Sequence, residues 1–102
     1  MRINQVVWSS LAIQSLNETN TFLLNFWTED VSDRFLASID EIIEILKKNP
    51  SLGSNIEKLI YRRVLLNKHI SLFYKVEKGK ITILLFWDNR QDPKMLKEKI
   101  KL

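Results

Sequence analysis

Most residues of this sequence whose side chains could take part in catalysis or ligand binding are basic or aromatic. They lie in the second half of the chain and comprise Tyr61, Arg62, Arg63, Lys68, Tyr74, Lys75, Arg90 and the lysines that follow. Arginine binds phosphate through two parallel hydrogen bonds, and aromatic rings stack on unpaired bases. RNA cleavage without metal needs little beyond such cations and groups that help the 2′-hydroxyl attack. The set therefore indicates a site for a polyanion such as RNA.

The same residues also have structural explanations. Tyr61 and Tyr74 fall on strand faces with apolar neighbours, which favours packing in or beside the core for each. Arg62 and Arg63 are adjacent on a predicted strand and point to opposite faces, so at most one of them can share a site with a given neighbour. The large aromatic residues that we expect in the core are Trp8, Phe26, Trp27 and Trp87.

Other kinds of catalytic or binding site find less support in the sequence. His69 begins a predicted strand, where general acid–base work near neutral pH competes with the simpler role of an exposed edge residue. The chain has no cysteine, which excludes a disulfide scaffold, a zinc ribbon and a thiol nucleophile. The carboxylates Asp40, Glu41 and Glu44 form the solvated side of a predicted helix rather than a metal site. Neither glycine-rich phosphate-binding motif occurs. We expect no metal and no cofactor.

Charge is distributed unevenly along the 102 residues, which are enough for one domain, 1–102. The formal net charge of +4 combines −4 for residues 1–57 and +8 for residues 58–102. A basic half within one small domain predicts a basic face that attracts polyanions; a solubilising surface is the alternative. The longest apolar run, Ile81–Trp87, is far too short to cross a membrane. With no signal-peptide core near the start, we expect a cytoplasmic protein with no membrane partner.

Periodicity and turn residues predict an α+β fold. Apolar residues recur at helical spacing in the first half of the chain, and alternation with turn signals follows in the second half. The predicted elements are a strand over 2–8, a helix from Ser9-Ser10 to Trp27, a second helix ending at Asn49-Pro50, a loop over 51–57, strands over 59–66, 69–76 and 81–87, and a helix over 94–102. This β-α-α-β-β-β order with a short C-terminal helix predicts a helix hairpin on one face of a twisted antiparallel sheet. The other face is then free to carry Arg62 or Arg63.

Several short segments carry a family resemblance through their order and spacing. They are Val7-Trp-Ser-Ser10 with Ala12 and Leu16, Phe26-Trp27, Asn49-Pro50 with Gly53, Tyr61-Arg62-Arg63, Leu72-Phe-Tyr-Lys-Val76, and Ile81-Thr-Ile-Leu-Leu-Phe-Trp-Asp-Asn-Arg-Gln-Asp-Pro93. Together they resemble the RelE/ParE superfamily of toxins from bacterial type II toxin–antitoxin systems. The resemblance implies a RelE/ParE-like domain, and growth inhibition that an acidic antitoxin from an adjacent gene blocks.

The resemblance also implies two alternative targets. The RelE-like branch cleaves mRNA in the ribosomal decoding site without metal, and Arg63 and Arg90 match its basic positions. The Tyr or His that this branch usually carries near the C-terminus is missing after residue 87. Asp88, His69 or a lysine would then act as the general acid or base. The accompanying RNA-binding residues would be Arg62, Lys68, Tyr74, Lys75 and Lys94. The ParE-like branch poisons DNA gyrase and needs no catalytic acid or base.

Three hypotheses about function follow. The first is an mRNA-cleaving endoribonuclease, which the basic half of the chain favours because a basic sheet face suits a phosphate backbone. The second is a gyrase inhibitor without catalytic activity of its own, which the missing C-terminal Tyr or His and the ending Arg90-Gln-Asp-Pro93 favour. The third is a non-toxic RNA-binding module, supported by charge alone.

Overall fold

The structure, a computed structural model, describes residues 3–55 and 61–100. The parts of the predicted elements at positions 2, 56–60, 101 and 102 lie outside these residues. The described elements are β1 (Gln5–Trp8), α1 (Ser10–Phe26), α2 (Glu29–Lys48), β2 (Ser54–Asn55), β3 (Tyr61–Leu65), β4 (Ile70–Glu77), β5 (Lys80–Asp88) and α3 (Pro93–Ile100). The predicted α+β class and element order are confirmed, with one strand added.

Both long helices begin where side-chain oxygens cap free backbone amides. The Ser9 hydroxyl accepts a hydrogen bond from the Ala12 amide at the start of α1, and the Thr28 hydroxyl does the same for the Val31 amide at the start of α2. Acidic residues occupy the first turn of α2 and lysines its last turn, which complements the helix dipole. The two helices therefore form the predicted hairpin with a short connection at residues 27 and 28.

The sheet has the strand order β1-β5-β4-β3-β2, in which β1 runs parallel to β5 and the other neighbours are antiparallel. The strand β2 corrects the predicted loop over 51–57, because Ser54 and Asn55 pair with Arg63 and Arg62. Ser54 and Asn55 are both polar and exposed, so they lack the alternation of apolar and polar residues that predicts a strand. Their pairing covers part of the outer edge of β3.

The core lies between the helix hairpin and one face of the sheet, which we call the helix face. Its buried members include Phe35 and Ile39 from α2 with Leu72, Tyr74 and Ile83 from the sheet. A smaller cluster lies on the opposite face, where α3 packs on the sheet; its members include Phe73, Leu85, Trp87 and Leu96. The face expected to be free is therefore partly covered by the C-terminal helix.

Two aromatic residues that we expected in the core lie at the surface. Phe26 is 71% exposed and Trp27 is 58% exposed, because they stand at the connection between α1 and α2, at the end of the apolar stripe of α1. The ring of Phe26 packs beside that of Phe22, with the ring centroids 4.9 Å apart. Trp87 is buried and Trp8 is partly buried against the core, as expected. Among the described residues, no helix is long and apolar enough to span a bilayer.

Candidate functional site

Arg63 belongs to a hydrogen-bonded chain that runs from β3 through β4 to the residue that follows β5. Its Nε donates to the Ser71 hydroxyl at 2.9 Å, and that hydroxyl donates to Oδ1 of Asn89 at 2.8 Å. The backbone N–H of Asn89 in turn donates to the carbonyl of His69 at 2.7 Å. Ser71 is fully buried while Arg63 is exposed. The buried hydroxyl therefore fixes the inner edge of a guanidinium whose outer edge faces solvent.

Asp88 and Arg90 form a separate ion pair just beyond β5. The guanidinium Nη2 of Arg90 lies 2.6 Å from Oδ2 of Asp88, and Nε donates to Oδ1 at 2.9 Å. The hydrogen bond from Arg90 lowers the pKa of the Asp88 carboxyl, and burial opposes this only in part. The same contact raises the pKa of Arg90. At neutral pH the pair is thus a carboxylate and a guanidinium that satisfy each other.

The ion pair and Arg63 lie on opposite sides of the sheet. Residues directly opposite each other on paired strands share a face. Asp88 is opposite Ile70, a residue of the helix face, whereas Arg63 is opposite Phe73 of the other face. The sequence predicted one site containing Arg63, Arg90, His69 and Asp88. The structure divides it between two groups: the His69 carbonyl is bonded to Asn89 in the chain of Arg63, and the His69 side chain is near enough to Asp88 to contribute to the lowered pKa of that carboxyl.

A β-bulge causes this separation. The pairing of β4 with β5 passes from Tyr74 opposite Ile83 to Phe73 opposite Leu85, so Leu84 is the extra residue. An extra residue reverses the face to which every later side chain of that strand points. Without the bulge, Asp88 would share the face of Arg63.

The Asp88–Arg90 pair lines a cavity of about 290 Å³ between α1 and the end of β5. Its lining also includes Phe22 and Glu18 from α1, Phe86 from β5 and Lys99 from α3. A lining that combines apolar residues with charges of both signs suits a side chain of another protein better than a phosphate backbone.

Arg62 and Tyr74, predicted to bind RNA, both make hydrogen bonds within the fold. Nη1 of Arg62 donates to the carbonyl of Gly53 at 2.7 Å and to that of Ser51 at 3.3 Å. The Tyr74 hydroxyl accepts from the Gly53 amide and donates to the Pro50 carbonyl, both at 2.9 Å. Burial raises the pKa of this hydroxyl, and the ring has no exposed face on which a base could stack. Both side chains hold the segment that precedes β2 against the sheet.

The three lysines predicted to bind RNA belong to different elements. Lys68 lies in the turn before β4. Lys75 is on β4, opposite Tyr61 and on the same face as Arg63, and its ammonium group pairs with Glu77 at 3.0 Å. Lys94 is in the first turn of α3, the helix that packs on this face.

Ser71 and Asn89 are the site residues that sequence reasoning missed. A serine inside an apolar strand reads as a tolerated small residue, and an asparagine between Asp88 and Arg90 reads as part of a polar loop. One signal could have indicated Ser71: a buried hydroxyl requires a hydrogen-bond partner. The partners themselves depend on the strand register, which the sequence does not show.

The sequence of the chain matches that of a known toxin family. The family described as the ParE toxin of the type II toxin–antitoxin system parDE matches residues 6–93. No curated protein sequence matches the chain.

Solved structures of similar fold come from several bacteria. The chromosomal ParDE system of P. aeruginosa aligns with a TM-score of 0.69 and 18% identity, over 84% of this chain and 95% of that one. A YoeB/ParE toxin from Agrobacterium tumefaciens aligns with a TM-score of 0.61 and 13% identity, over 83% and 98%. The YoeB dimer of Staphylococcus aureus gives 0.55 and 18%, over 81% and 92%. The fold predicted from the resemblance is confirmed, and because the family match spans most of the sequence, this chain belongs to the ParE toxin family of type II toxin–antitoxin systems, within the RelE/ParE superfamily.

Proposed function

We propose that this toxin arrests growth by binding DNA gyrase and has no catalytic activity of its own. The observation that carries the proposal is the division of the expected catalytic groups between two faces of the sheet. Arg63 lies on one face and Asp88 on the other. Cleavage of a phosphodiester requires the acid–base group and the stabilising cation within reach of the same phosphate. A toxin that acts by binding has no such requirement.

The protonation state of Asp88 also supports binding over cleavage. Its pKa is lowered because Arg90 donates hydrogen bonds to the carboxylate. A carboxylate of low pKa is a weak base, and it carries no proton to donate to a leaving group at neutral pH. Among the other groups available for that role, the ammonium group of Lys75 is paired with Glu77, whereas His69 adjoins the hydrogen-bonded chain of Arg63 through its carbonyl.

Cleavage of mRNA remains the second candidate because His69 adjoins the hydrogen-bonded chain of Arg63. The His69 carbonyl accepts a hydrogen bond from the backbone of Asn89. The side chain of Asn89 is linked to the Arg63 guanidinium by two hydrogen bonds, through the Ser71 hydroxyl. The net charge of +8 over residues 58–102 also favours a polyanion. This hypothesis assigns acid–base work to His69 and transition-state stabilisation to Arg63.

One substitution separates the two candidates. His69→Gln removes the side chain to which the RNA hypothesis assigns acid–base work, while keeping a polar side chain of similar size. If the protein binds gyrase, this variant arrests growth as the parent does, and purified parent and variant inhibit supercoiling of relaxed plasmid equally. Loss of growth arrest in a variant that still folds, with no effect of the parent on supercoiling, would favour RNA cleavage instead. An unchanged thermal unfolding midpoint serves as the folding control.

We further propose that an acidic, partly disordered antitoxin neutralises this toxin in the cytoplasm, where both candidate targets reside. The solved structures of similar fold include a YoeB–YefM toxin–antitoxin complex of Staphylococcus aureus. Exposed apolar side chains, such as Phe26 and Trp27, are a liability unless a partner covers them. Co-expression of a small acidic neighbouring gene should restore growth and yield a complex that co-purifies. A gene with no such neighbour would count against this proposal.

A further inference from the structure

The guanidinium of Arg63 is fixed on one edge and open on the other. The hydrogen bond to Ser71 uses Nε alone. Within the described residues, neither Nη1 nor Nη2 of Arg63 has a hydrogen-bond partner, and the side chain is exposed. The free edge of an arginine presents parallel N–H groups at the spacing of two oxygens of one anion.

Ser71 and Asn89 account for the fixed edge. The Ser71 hydroxyl is fully buried, and its single proton is committed to Oδ1 of Asn89, so it presents a lone pair to Nε of Arg63. The Asn89 backbone is itself held by the His69 carbonyl. An arginine anchored in this way loses less conformational freedom when it binds a ligand than one free in solvent.

The surface around Arg63 indicates which anion the free edge receives. Arg63 lines a shallow groove of about 540 Å³ together with Leu52, Gly53, Ser54, Val64 and Leu65. Leu52 is 46% exposed and Leu65 is 55% exposed. The neighbouring cation Arg62 is committed to loop carbonyls, and Lys75 is paired with Glu77. A cation flanked by exposed leucines complements a carboxylate flanked by aliphatic side chains, whereas a nucleic-acid backbone calls for a row of cations.

We infer that Arg63, held by the positioning residues Ser71 and Asn89, is the receptor for a carboxylate in an acidic, aliphatic segment of a partner protein. The inference rests on one premise of the proposed function, namely that the toxin binds a protein rather than RNA. It concerns a surface on the face opposite the Asp88–Arg90 pair, so it can fail while gyrase inhibition stands, and the reverse also holds.

A titration of the full-length, ¹⁵N-labelled toxin tests the inference. The probe is the peptide acetyl-Leu-Glu-Leu-amide, and its control is acetyl-Leu-Gln-Leu-amide, which has the same shape without the charge. The NMR signal of the Arg63 Nε–H reports directly on the bond to Ser71. We expect the glutamate peptide to shift this signal and bind at least tenfold more tightly than the glutamine peptide, because a charge-assisted bidentate contact is lost in the latter.

Variants distinguish positioning from a merely structural role. Ser71→Ala and Asn89→Ala each break the chain behind Arg63 at a different point, so either alone suffices if the other fails to fold. We expect each to weaken glutamate-peptide binding about fivefold through lost preorganisation, and to hasten solvent exchange of the Arg63 Nε–H. Arg63→Lys should weaken it about tenfold, because an ammonium group lacks the planar fork. Ser38→Ala on α2, away from the groove, is the matched control and should change neither quantity.

Three outcomes would overturn the inference. Equal affinity for the two peptides, or no binding of either, would show that Arg63 does not receive a carboxylate. Unchanged affinity in folded Ser71→Ala or Asn89→Ala would remove the positioning role. If a uridine hexamer rather than the glutamate peptide shifted the Arg63 signal, the free edge would be a phosphate receptor and the partner a nucleic acid.

Discussion

Replacing Tyr74 with phenylalanine tests whether this residue serves the fold rather than ligand binding. The hydroxyl accepts from the Gly53 amide and donates to the Pro50 carbonyl, both at 2.9 Å. Packing around it is tight, since a Cβ added to Gly53 would lie 2.8 Å from the hydroxyl oxygen. Removal leaves the amide of buried Gly53 without a partner, and an unpaired buried group costs about 1–3 kcal/mol. We expect Tyr74→Phe to lower the free energy of unfolding by about 2 kcal/mol.

Urea unfolding of the purified toxin measures this loss. In a domain of this size, 2 kcal/mol corresponds to a fall of about 10 °C in the thermal midpoint. Tyr61→Phe is the control, because among the described residues the Tyr61 hydroxyl has no hydrogen-bond partner; its effect should stay below about 0.5 kcal/mol. A loss below about 0.5 kcal/mol in Tyr74→Phe, with RNA binding reduced, would refute the structural role and return Tyr74 to the RNA-binding surface.

Further predictions concern three other contacts. Asp88→Asn should destabilise the toxin by only about 0.5 kcal/mol at pH 7, since the Arg90 side of the pair is exposed to solvent and Asp88 is only partly buried. The folded-state pKa of Asp88 is lowered. The stabilisation from the ion pair is therefore present above the unfolded-state pKa near 3.8 and is lost as the pH falls through the folded-state pKa. Parent and variant should then unfold at the same urea concentration at the lowest pH at which both fold. Ser15→Ala removes the hydroxyl that accepts from the buried Phe86 amide and should cost about 1–3 kcal/mol in calorimetry. Gly53→Ala should unfold at lower urea concentration, because the added Cβ would also meet a β3 carbonyl oxygen at 2.8 Å; an unchanged midpoint would show that the segment before β2 relaxes freely.

The helices and long strands were predictable because each carries its own local signal. The apolar stripe that includes Phe35, Ile39 and Leu46, the acidic start of α2 and the stop at Asn49-Pro50 define one amphipathic helix. Pro93 begins α3, as its fixed backbone angle favours. These features depend on neighbours in the sequence, so no tertiary information was needed.

The arrangement of the site was not predictable, because it depends on strand register. Residues 81–87 are apolar on both faces, so alternation gives no information about which way Asp88 points. The bulge at Leu84 decides that question, and it places Asp88 on the helix face while Asn89 reaches Ser71. The exposure of Trp27 was not predictable for a related reason. Helical periodicity shows which residues form the apolar stripe of a helix, but not where along the helix that stripe stops packing against the rest of the protein.

Mapping transcript 5′ ends after brief induction of the toxin, in a bacterium that lacks the neighbouring gene, tests the central claim most directly. The claim is that this member of the ParE toxin family acts by binding gyrase, since Arg63 and Asp88 lie on opposite faces of the sheet. We predict growth arrest with no new 5′ ends inside translated reading frames, accompanied by relaxed plasmid DNA. New ends within those frames, absent when translation is blocked, would contradict the claim and identify a ribosome-dependent ribonuclease.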